Sequence, residues 1–167
     1  MKTLSMTLIV ACSVLFGTIL SKNEETKIKK SELLISFLQD MKAYMECTLL
    51  STKDIFLKLA ENQEYKKLGF VEECCTFLKN GWEFPISYKT SIDDHNFSLT
   101  PSCKKIMLSL GEKLGTTDLA GQLSYVTLAV KKIENECELT REKYRKKENM
   151  YMPLSVLTGI GIAIMMY

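Results

Sequence analysis

The chain has 167 residues, which allows one domain of ordinary size, with 46% hydrophobic residues and a formal net charge of +2 at pH 7. Its charge is unevenly distributed, because every charged residue except Lys2 lies between Lys22 and Glu148. Two basic runs, Lys27–Lys30 and Arg141–Lys147, stand beside the uncharged ends and are mixed with glutamates. This placement favours contact with anionic lipid and argues against nucleic-acid binding.

The two uncharged ends have the length and composition of membrane-spanning helices. Residues 3–21 form an uncharged stretch between Lys2 and Lys22, and residues 151–167 end the chain with a second apolar stretch. A bilayer core about 30 Å thick needs roughly 20 helical residues. Each stretch therefore predicts a transmembrane helix whose polar ends lie among the lipid headgroups.

Two other interpretations compete for the first stretch. A cleaved signal peptide has an apolar region of about 7–15 residues and a small-residue cleavage site, whereas this run continues to Leu20 without such a site. Residues Ile9–Cys12 have the form of a lipidation site, but apolar or small residues follow Cys12, where a lipoprotein normally turns polar. Lipidation at Cys12 stays as the alternative.

The basic residues beside the two stretches predict their orientation. Four lysines follow the first stretch and five basic residues precede the second, whereas only Lys2 and the amino terminus lie on the other side. Cytoplasmic loops carry an excess of lysine and arginine. We therefore expect residues 22–150 to form a cytoplasmic domain, with both chain termini across the membrane.

Residues 22–150 have apolar residues at three- and four-residue steps, the periodicity of amphipathic helices. The predicted helices are one through Leu34–Thr48, then Lys53–Glu61, Glu64–Leu78, Ile86–Ile92 and Pro101–Leu114, and a last helix that ends at Asn149. Thr100 before Pro101 is a typical helix start, and Gly115 is a typical helix end. Residues Asp93–Asn96 are predicted as a turn.

The last helix has the most regular pattern in the chain. Its apolar residues alternate steps of four and three, as the a and d positions of a coiled coil do. They are Leu119, Leu123, Val126, Val130, Ile133, Cys137, Thr140 and Tyr144. Because this helix returns to the membrane face that the first helix leaves, the two must run antiparallel. The expected fold is all-α, an antiparallel helical bundle between two terminal transmembrane helices, with a bend at Pro153 allowed.

The sequence contains no pattern that points to catalysis, a cofactor or a metal ion. His95 is the only histidine and lies in a polar turn with Asp93 and Asp94, which supply too few oxygen ligands for a calcium loop. Gly111 and Gly115 lack the Lys and Ser/Thr of a phosphate loop. The six cysteines include no Cys-x-x-Cys, and in the cytoplasm they should stay reduced and behave as small buried hydrophobes.

Glycines suggest helix packing within the membrane. Gly159 and Gly161 form a small-residue face in the second span, and Gly17 lies in the first. Small residues let membrane helices approach closely. Lipid-facing glycines without a packing role explain the same pattern equally well.

The segment from Leu110 to Gln122 resembles the Leu-Gly-x-x-Asp-x-x-x-Gln signature of the stage III sporulation protein AB family. The matching residues are Leu114, Gly115, Asp118 and Gln122. Leu154–Ile160 is similar to that family's Leu-Gly-Val-Leu-x-Gly pattern, with Ser155 where glycine is usual. The N-terminal half departs from the family, because Tyr44–Cys47 and Ser51–Thr52 replace its acidic-Ile-x-Tyr and Pro-Leu elements.

The resemblance implies a role in endospore formation. Members of this family lie in the mother-cell membrane facing the forespore, in a transenvelope channel that the stage III proteins build with the forespore's stage II protein Q. Their cytoplasmic domain resembles the platform domain of type II secretion and type IV pilus systems. By that analogy the domain is expected to contact the cytoplasmic ATPase, stage III protein AA, and a homo-oligomer is a further expectation.

The motif also has a physical interpretation of its own. Gly115 can take the left-handed conformation that ends a helix. Asp118 lies in the first turn of a helix that Thr116 or Thr117 caps, where negative charge is favoured. Gln122 can hydrogen-bond back to Asp118 or across the hairpin. The motif residues therefore either fix a tight interhelical corner or contact a partner directly, and both interpretations stay open.

Three functional hypotheses follow. The first is a non-enzymatic membrane platform for protein assembly, which the two spans, the helical seam and the lack of reactive patterns favour. The second is an extracytoplasmic adaptor anchored to lipid through Cys12. The third is a thiol redox enzyme that uses the adjacent Cys74 and Cys75.

Overall fold

A computed structural model describes the backbone of residues 2–94 and 100–165 and the side chains of residues 25–93 and 100–146. The helices in this part of the chain are α1 (Lys2–Cys47), α2 (Thr52–Leu59), α3 (Gln63–Lys66), α4 (Phe70–Lys79), α5 (Phe84–Asp94), α6 (Pro101–Gly111) and α7 (Leu119–Met165). The same residues contain no strand, so the prediction of an all-α helical bundle is confirmed for them.

The chain divides into two compact units. One comprises Met1–Ile28 and Glu138–Tyr167, the terminal parts of α1 and α7. The other, Lys29–Cys137, contains α2 to α6 with the remaining parts of α1 and α7. The resemblance motif and the hydrophobic core of the described side chains both belong to this second unit.

The predicted membrane segments cannot be compared with side-chain positions. The spans at residues 3–21 and 151–167, with Gly159 and Gly161, lie outside the residues whose side chains are described. His95 also lies outside the described residues. Among the described residues, no helix has the length and apolar character needed to cross a membrane.

Two of the differences from the predicted helix bounds involve a glycine and a proline. The segment Glu64–Leu78 is not one helix, since Gly69 with a φ of 76° separates α3 from α4. Glycine adopts this conformation without the steric cost that a side chain brings. The last helix does not end at Asn149, and α7 continues past Pro153 to Met165. A proline removes one backbone N–H, and the helix on both sides of it persists here.

The ends of the shorter helices follow their capping residues. The Ser51 hydroxyl accepts a hydrogen bond from the backbone N–H of Asp54 at 3.2 Å, and Thr100 accepts one from Cys103 at 3.3 Å. These are N-caps of α2 and α6. The prediction of a turn from Asp93 is wrong at its start, because α5 continues to Asp94. Helix α6 ends at Gly111 and not at the predicted Leu114.

Aromatic rings form the centre of the Lys29–Cys137 unit. Phe37, Phe56, Phe70 and Tyr88 come from α1, α2, α4 and α5, and all are buried. The contacting pairs have ring centroids 5.5 to 6.4 Å apart, mostly edge to face. Each such pair contributes about 0.5–1.5 kcal/mol beyond its buried area. The short helices are thereby fixed around one cluster.

The regular seam of α7 is buried over its middle part. Val126, Val130 and Ile133 join the core, as predicted, and Leu123 is half-buried. On α1 the predicted apolar face is buried at Leu34, Leu38, Met41 and Met45. Leu119 is the exception, because this first residue of α7 is 52% exposed. The prediction that Leu119 belongs to the core is therefore wrong, and its exposure bears on the site.

Candidate functional site

The family-like motif forms a corner between α6 and α7. Leu114 is fully buried, and its backbone N–H donates to the carbonyl oxygen of Leu110 at 3.0 Å, the last helical hydrogen bond before the turn. Gly115 follows with a φ of 76°, which confirms the predicted left-handed conformation. Apart from Gly115 and its two chain neighbours, no described atom lies within 4 Å of the place that a Cβ of Gly115 would occupy. The glycine is therefore required by the backbone and not by crowding.

Asp118 starts the next helix by capping it. Its carboxylate oxygen Oδ1 accepts a hydrogen bond from the backbone N–H of Gly121 at 3.2 Å. Asp118 is thus the N-cap residue of α7, where a negative charge also faces the positive end of the helix. The predicted caps, Thr116 and Thr117, instead donate their hydroxyls to the carbonyl oxygen of Lys113 at 3.2 Å.

The amide side chain of Gln122 connects three segments. Its Oε1 accepts hydrogen bonds from the hydroxyl of Thr52 at 2.9 Å and from the backbone N–H of Gly115 at 3.2 Å. Its Nε2 donates to the carbonyl oxygen of Thr117 at 2.8 Å. One side chain of α7 therefore holds the start of α2 and both sides of the corner.

No sequence pattern predicts the partner of Gln122. Thr52 lies 70 residues away along the chain, at the start of α2. The side chain of Gln122 reaches Thr52, while only its backbone N–H bonds to Asp118, at 2.9 Å to the carbonyl oxygen. The fold brings the hydroxyl at the start of α2 next to the amide in the first turn of α7, and no local sequence pattern indicates this contact.

A cleft of about 490 Å³ opens beside this corner. Its apolar lining includes Met45, Ile55 and Phe84. Three leucines that also line it are strongly exposed: Leu49 by 105%, Leu50 by 44% and Leu119 by 52%. Clustered apolar side chains at a protein surface mark interaction sites. The only ionisable residue of the lining is Lys53, so the cleft lacks an acid–base pair.

The cysteines with described side chains do not form a reactive group at this corner. Cys74, Cys75, Cys103 and Cys137 are buried and form no disulfide, as predicted, whereas Cys47 is exposed and contradicts the prediction. Burial raises the pKa of Cys74 to about 12 and also raises the pKa of Cys75. Only the thiolate is a good nucleophile, so at neutral pH both thiols are protonated and poorly reactive.

Comparison with known proteins gives this corner a family context. A family model described as stage III sporulation protein AB matches residues 2–167. Neither the curated proteins nor the solved structures that were compared gave a match. The family match includes the N-terminal half, where the sequence motifs depart from the family, and it contains the Leu114–Gln122 corner. The chain therefore belongs to the stage III sporulation protein AB family, and its function is related to sporulation.

Proposed function

We propose that the protein is a non-enzymatic platform component of the transenvelope channel between mother cell and forespore, and that endospore formation requires it. Family membership supports the sporulation role. The observation that carries the platform role is the use of the motif's polar side chains. Asp118 and Gln122 fix the backbone of the corner, while leucines beside them are exposed to solvent. A platform needs such surfaces for other proteins and no reactive groups.

Deletion of the gene in its host tests the requirement. Microscopy of sporulating cells should show arrest before mature spores form, and the intact gene should restore spores. A Cys74→Ser/Cys75→Ser variant should also restore them, because the proposal gives these thiols no chemical role. Normal spores in the deletion strain would overturn the proposal, and failure of the double variant with normal protein levels would favour the redox hypothesis.

The proposed location is the mother-cell membrane facing the forespore, with residues 3–21 and 151–167 as spans and the domain between them in the cytoplasm. The basic residues beside both stretches support this orientation. Cys47 offers a natural probe, because it is the exposed thiol among the described cysteines. In a Cys12→Ser background, a membrane-impermeant maleimide should label Cys47 in permeabilised cells only. Labelling in intact cells would place the domain outside.

The alternative function, a lipid-anchored extracytoplasmic adaptor, makes a different prediction for the amino terminus. A chain cleaved before Cys12 and carrying diacylglycerol would have a mass that mass spectrometry distinguishes from the intact chain. We expect the intact mass. The lipidated mass, together with labelling of Cys47 in intact cells, would replace the platform with the adaptor.

The proposed partner in the cytoplasm is the ATPase, stage III protein AA, with other stage III proteins in the same channel. The full chain, solubilised in detergent and carrying an affinity tag, should retain the ATPase on a column. A tagged, unrelated membrane protein of similar size serves as the control. Absence of retention under conditions where the chain is folded would remove the ATPase from the proposal and leave the sporulation role intact.

A further inference from the structure

We propose that two copies of this chain dock on each other through the surface beside the corner, each placing Leu49 in the cleft of the other. This surface, called the corner surface below, consists of the cleft with Leu49, Leu50, Lys53 and Leu119 at its rim and Glu83 beside it. The inference goes beyond the proposed platform role, because it names a contact between copies that this role does not require.

Leu49 is the projecting part of this surface. It lies in the non-helical connection between α1 and α2, and its exposure of 105% means that the side chain stands clear of its own chain. Leu50 and Leu119 extend the apolar area around it. Removal of apolar side chains from water lowers the free energy. Contact of these leucines with another apolar surface is therefore favoured over their exposure to solvent.

The cleft is the receiving part of the same surface. Its volume of about 490 Å³ lies within the range of roughly 300–1,000 Å³ in which proteins bury drug-sized molecules, so it can hold leucine side chains. Its floor, which includes Met45, Ile55 and Phe84, is apolar. Because Leu49 and the cleft are on one surface, a two-fold axis beside Leu49 would place Leu49 of each copy in the cleft of the other. Isologous dimers use such self-complementary patches.

The charges at the rim favour a second copy over a partner with net charge. Lys53 lines the cleft, and Glu83 directly precedes its lining residue Phe84. Neither side chain forms an ion pair or hydrogen bond within the described part of the chain, although the two carry opposite charges. In a two-fold contact, Lys53 of one copy can face Glu83 of the other, twice.

The other carboxylates near the cleft are already engaged. Asp54 accepts a hydrogen bond from the Ser51 hydroxyl at 2.6 Å, and Asp118 caps α7. The surface therefore presents one available cation and one available anion beside an apolar centre. A self-contact uses both charges, whereas a strongly acidic or basic partner would leave one of them opposed by a like charge.

A second groove provides the matched control. It has a volume of about 430 Å³ between α1 and α7, and its rim carries Leu128, which is 46% exposed. Of its three charged residues, Lys42 and Glu46 pair with each other at 3.8 Å, and the third is Lys131. This groove has an exposed leucine of similar chemistry, so Leu128→Asp adds the same charge at a surface outside the proposed contact.

Sedimentation equilibrium of the full chain in detergent tests the proposal. The wild type should show a monomer–dimer equilibrium, and Leu49→Asp should raise its dissociation constant at least about tenfold. Leu128→Asp should change it less than about threefold. Unchanged helical content and melting temperature show that each variant is folded. A monomeric wild type would overturn the proposal. Equal effects of the two substitutions would overturn it as well, because a dimer held together by the predicted spans would be weakened by neither substitution.

Charge exchange tests the stated geometry. Lys53→Glu and Glu83→Lys should each weaken the dimer about twofold to fivefold, as exposed ion pairs do, and the double variant on one chain should recover most of the loss. In sporulating cells, a photo-crosslinking amino acid at position 49 should yield a product of twice the chain mass, and one at position 128 should not. Crosslinks from position 49 only to another protein would overturn self-docking without affecting the deletion phenotype that tests the platform role.

Discussion

The hydroxyl of Thr52 donates a 2.9 Å hydrogen bond to Oε1 of Gln122 across 70 residues of sequence. The same oxygen accepts the backbone N–H of Gly115, so the start of α2, the glycine turn and the first turns of α7 share one acceptor atom. Three neutral hydrogen bonds to a half-buried amide thus hold the corner in place. Loss of that amide should loosen all three connections together.

We expect Gln122→Leu to lower the free energy of unfolding by about 1–3 kcal/mol. Each neutral hydrogen bond contributes about 0.5–1.5 kcal/mol net, and the substitution also leaves two half-buried residues, Thr52 and Thr117, without this partner. Thr52→Val should cost about 1 kcal/mol, because it removes one of the three bonds. Chemical denaturation of the full chain in detergent measures both.

A double-mutant cycle isolates the bond between the two side chains. If Thr52 and Gln122 interact as the structure has them, the combined variant should cost less than the sum of the single variants by about 0.5–1.5 kcal/mol. Amide hydrogen exchange at Gly115 should also accelerate in Gln122→Leu and stay unchanged in Thr52→Val. Additive costs and unchanged exchange would contradict the three-way connection.

Gly115→Ala should destabilise the chain by about 1–2 kcal/mol through backbone strain alone. Its φ of 76° is a left-handed conformation that a Cβ disfavours, while no described atom beyond its two chain neighbours lies within 4 Å to clash with that Cβ. Gly115→Asn should cost less, because asparagine tolerates this region better. Thermal unfolding of the purified variants checks the order.

Gly81→Ala is the matched control for the motif glycine. Gly81 has a φ of 85° and equally open surroundings, but it lies outside the family-like motif. The two alanine variants should therefore lose similar stability. If the corner also contacts a partner, Gly115→Ala should reduce spore formation more than Gly81→Ala does. Equal sporulation would assign the motif a purely structural role.

Local chemistry made parts of this fold predictable from the sequence. The left-handed Gly115 follows from a glycine at the end of a helical pattern, and the caps at Ser51 and Thr100 follow from hydroxyl residues before apolar runs. These features depend on a few neighbouring residues and on strong backbone preferences. The burial of α1 and α7 followed from the same kind of short-range periodicity.

Features that depend on distant residues could not be predicted in this way. The pairing of Thr52 with Gln122 and the seating of Tyr88 against Gly111 join segments whose separation in sequence carries no signal. The exposure of Leu119 is another case. Its spacing matches a buried seam, but Leu119 is the first residue of α7 and its side chain is exposed to solvent. The cleft could therefore not be predicted from the sequence, although Gly115, Leu119 and Gln122, which line it, belong to sequence patterns.

Gly111→Ala should cost about 1–3 kcal/mol, because an added Cβ would stand 2.6 Å from Cε1 of Tyr88. Tyr88 is 1% exposed and its ring contacts Phe56 and Phe70, so it has little room to move aside. In a Tyr88→Leu background the same glycine substitution should cost clearly less. Denaturation midpoints of the wild type, the two single variants and the double variant measure the coupling. If Gly111→Ala lowers stability equally in both backgrounds, the Tyr88 ring is not the cause of the destabilisation.

Buried thiols should make the chain less stable at alkaline pH. The pKa of Cys74 is about 12 in the folded chain against an ordinary value of 9.0, mainly because of burial, and burial likewise raises the pKa of Cys75 and Cys103. Below pH 9 these thiols hold their protons in both states, so their contribution does not change with pH. Above pH 9 the unfolded chain releases protons that the folded chain keeps, which favours unfolding.

The expected slope is a loss of up to about 1.4 kcal/mol per pH unit for each such thiol between the two pKa values. Denaturation midpoints between pH 7 and pH 10.5 should therefore be flat at first and then fall. Cys74→Ala should lower stability at every pH but make the alkaline decline shallower, since one shifted group is gone. Cys47→Ala is the matched control, because this exposed thiol is not withdrawn from water by folding. An identical decline in wild type and Cys74→Ala would contradict the assigned shift.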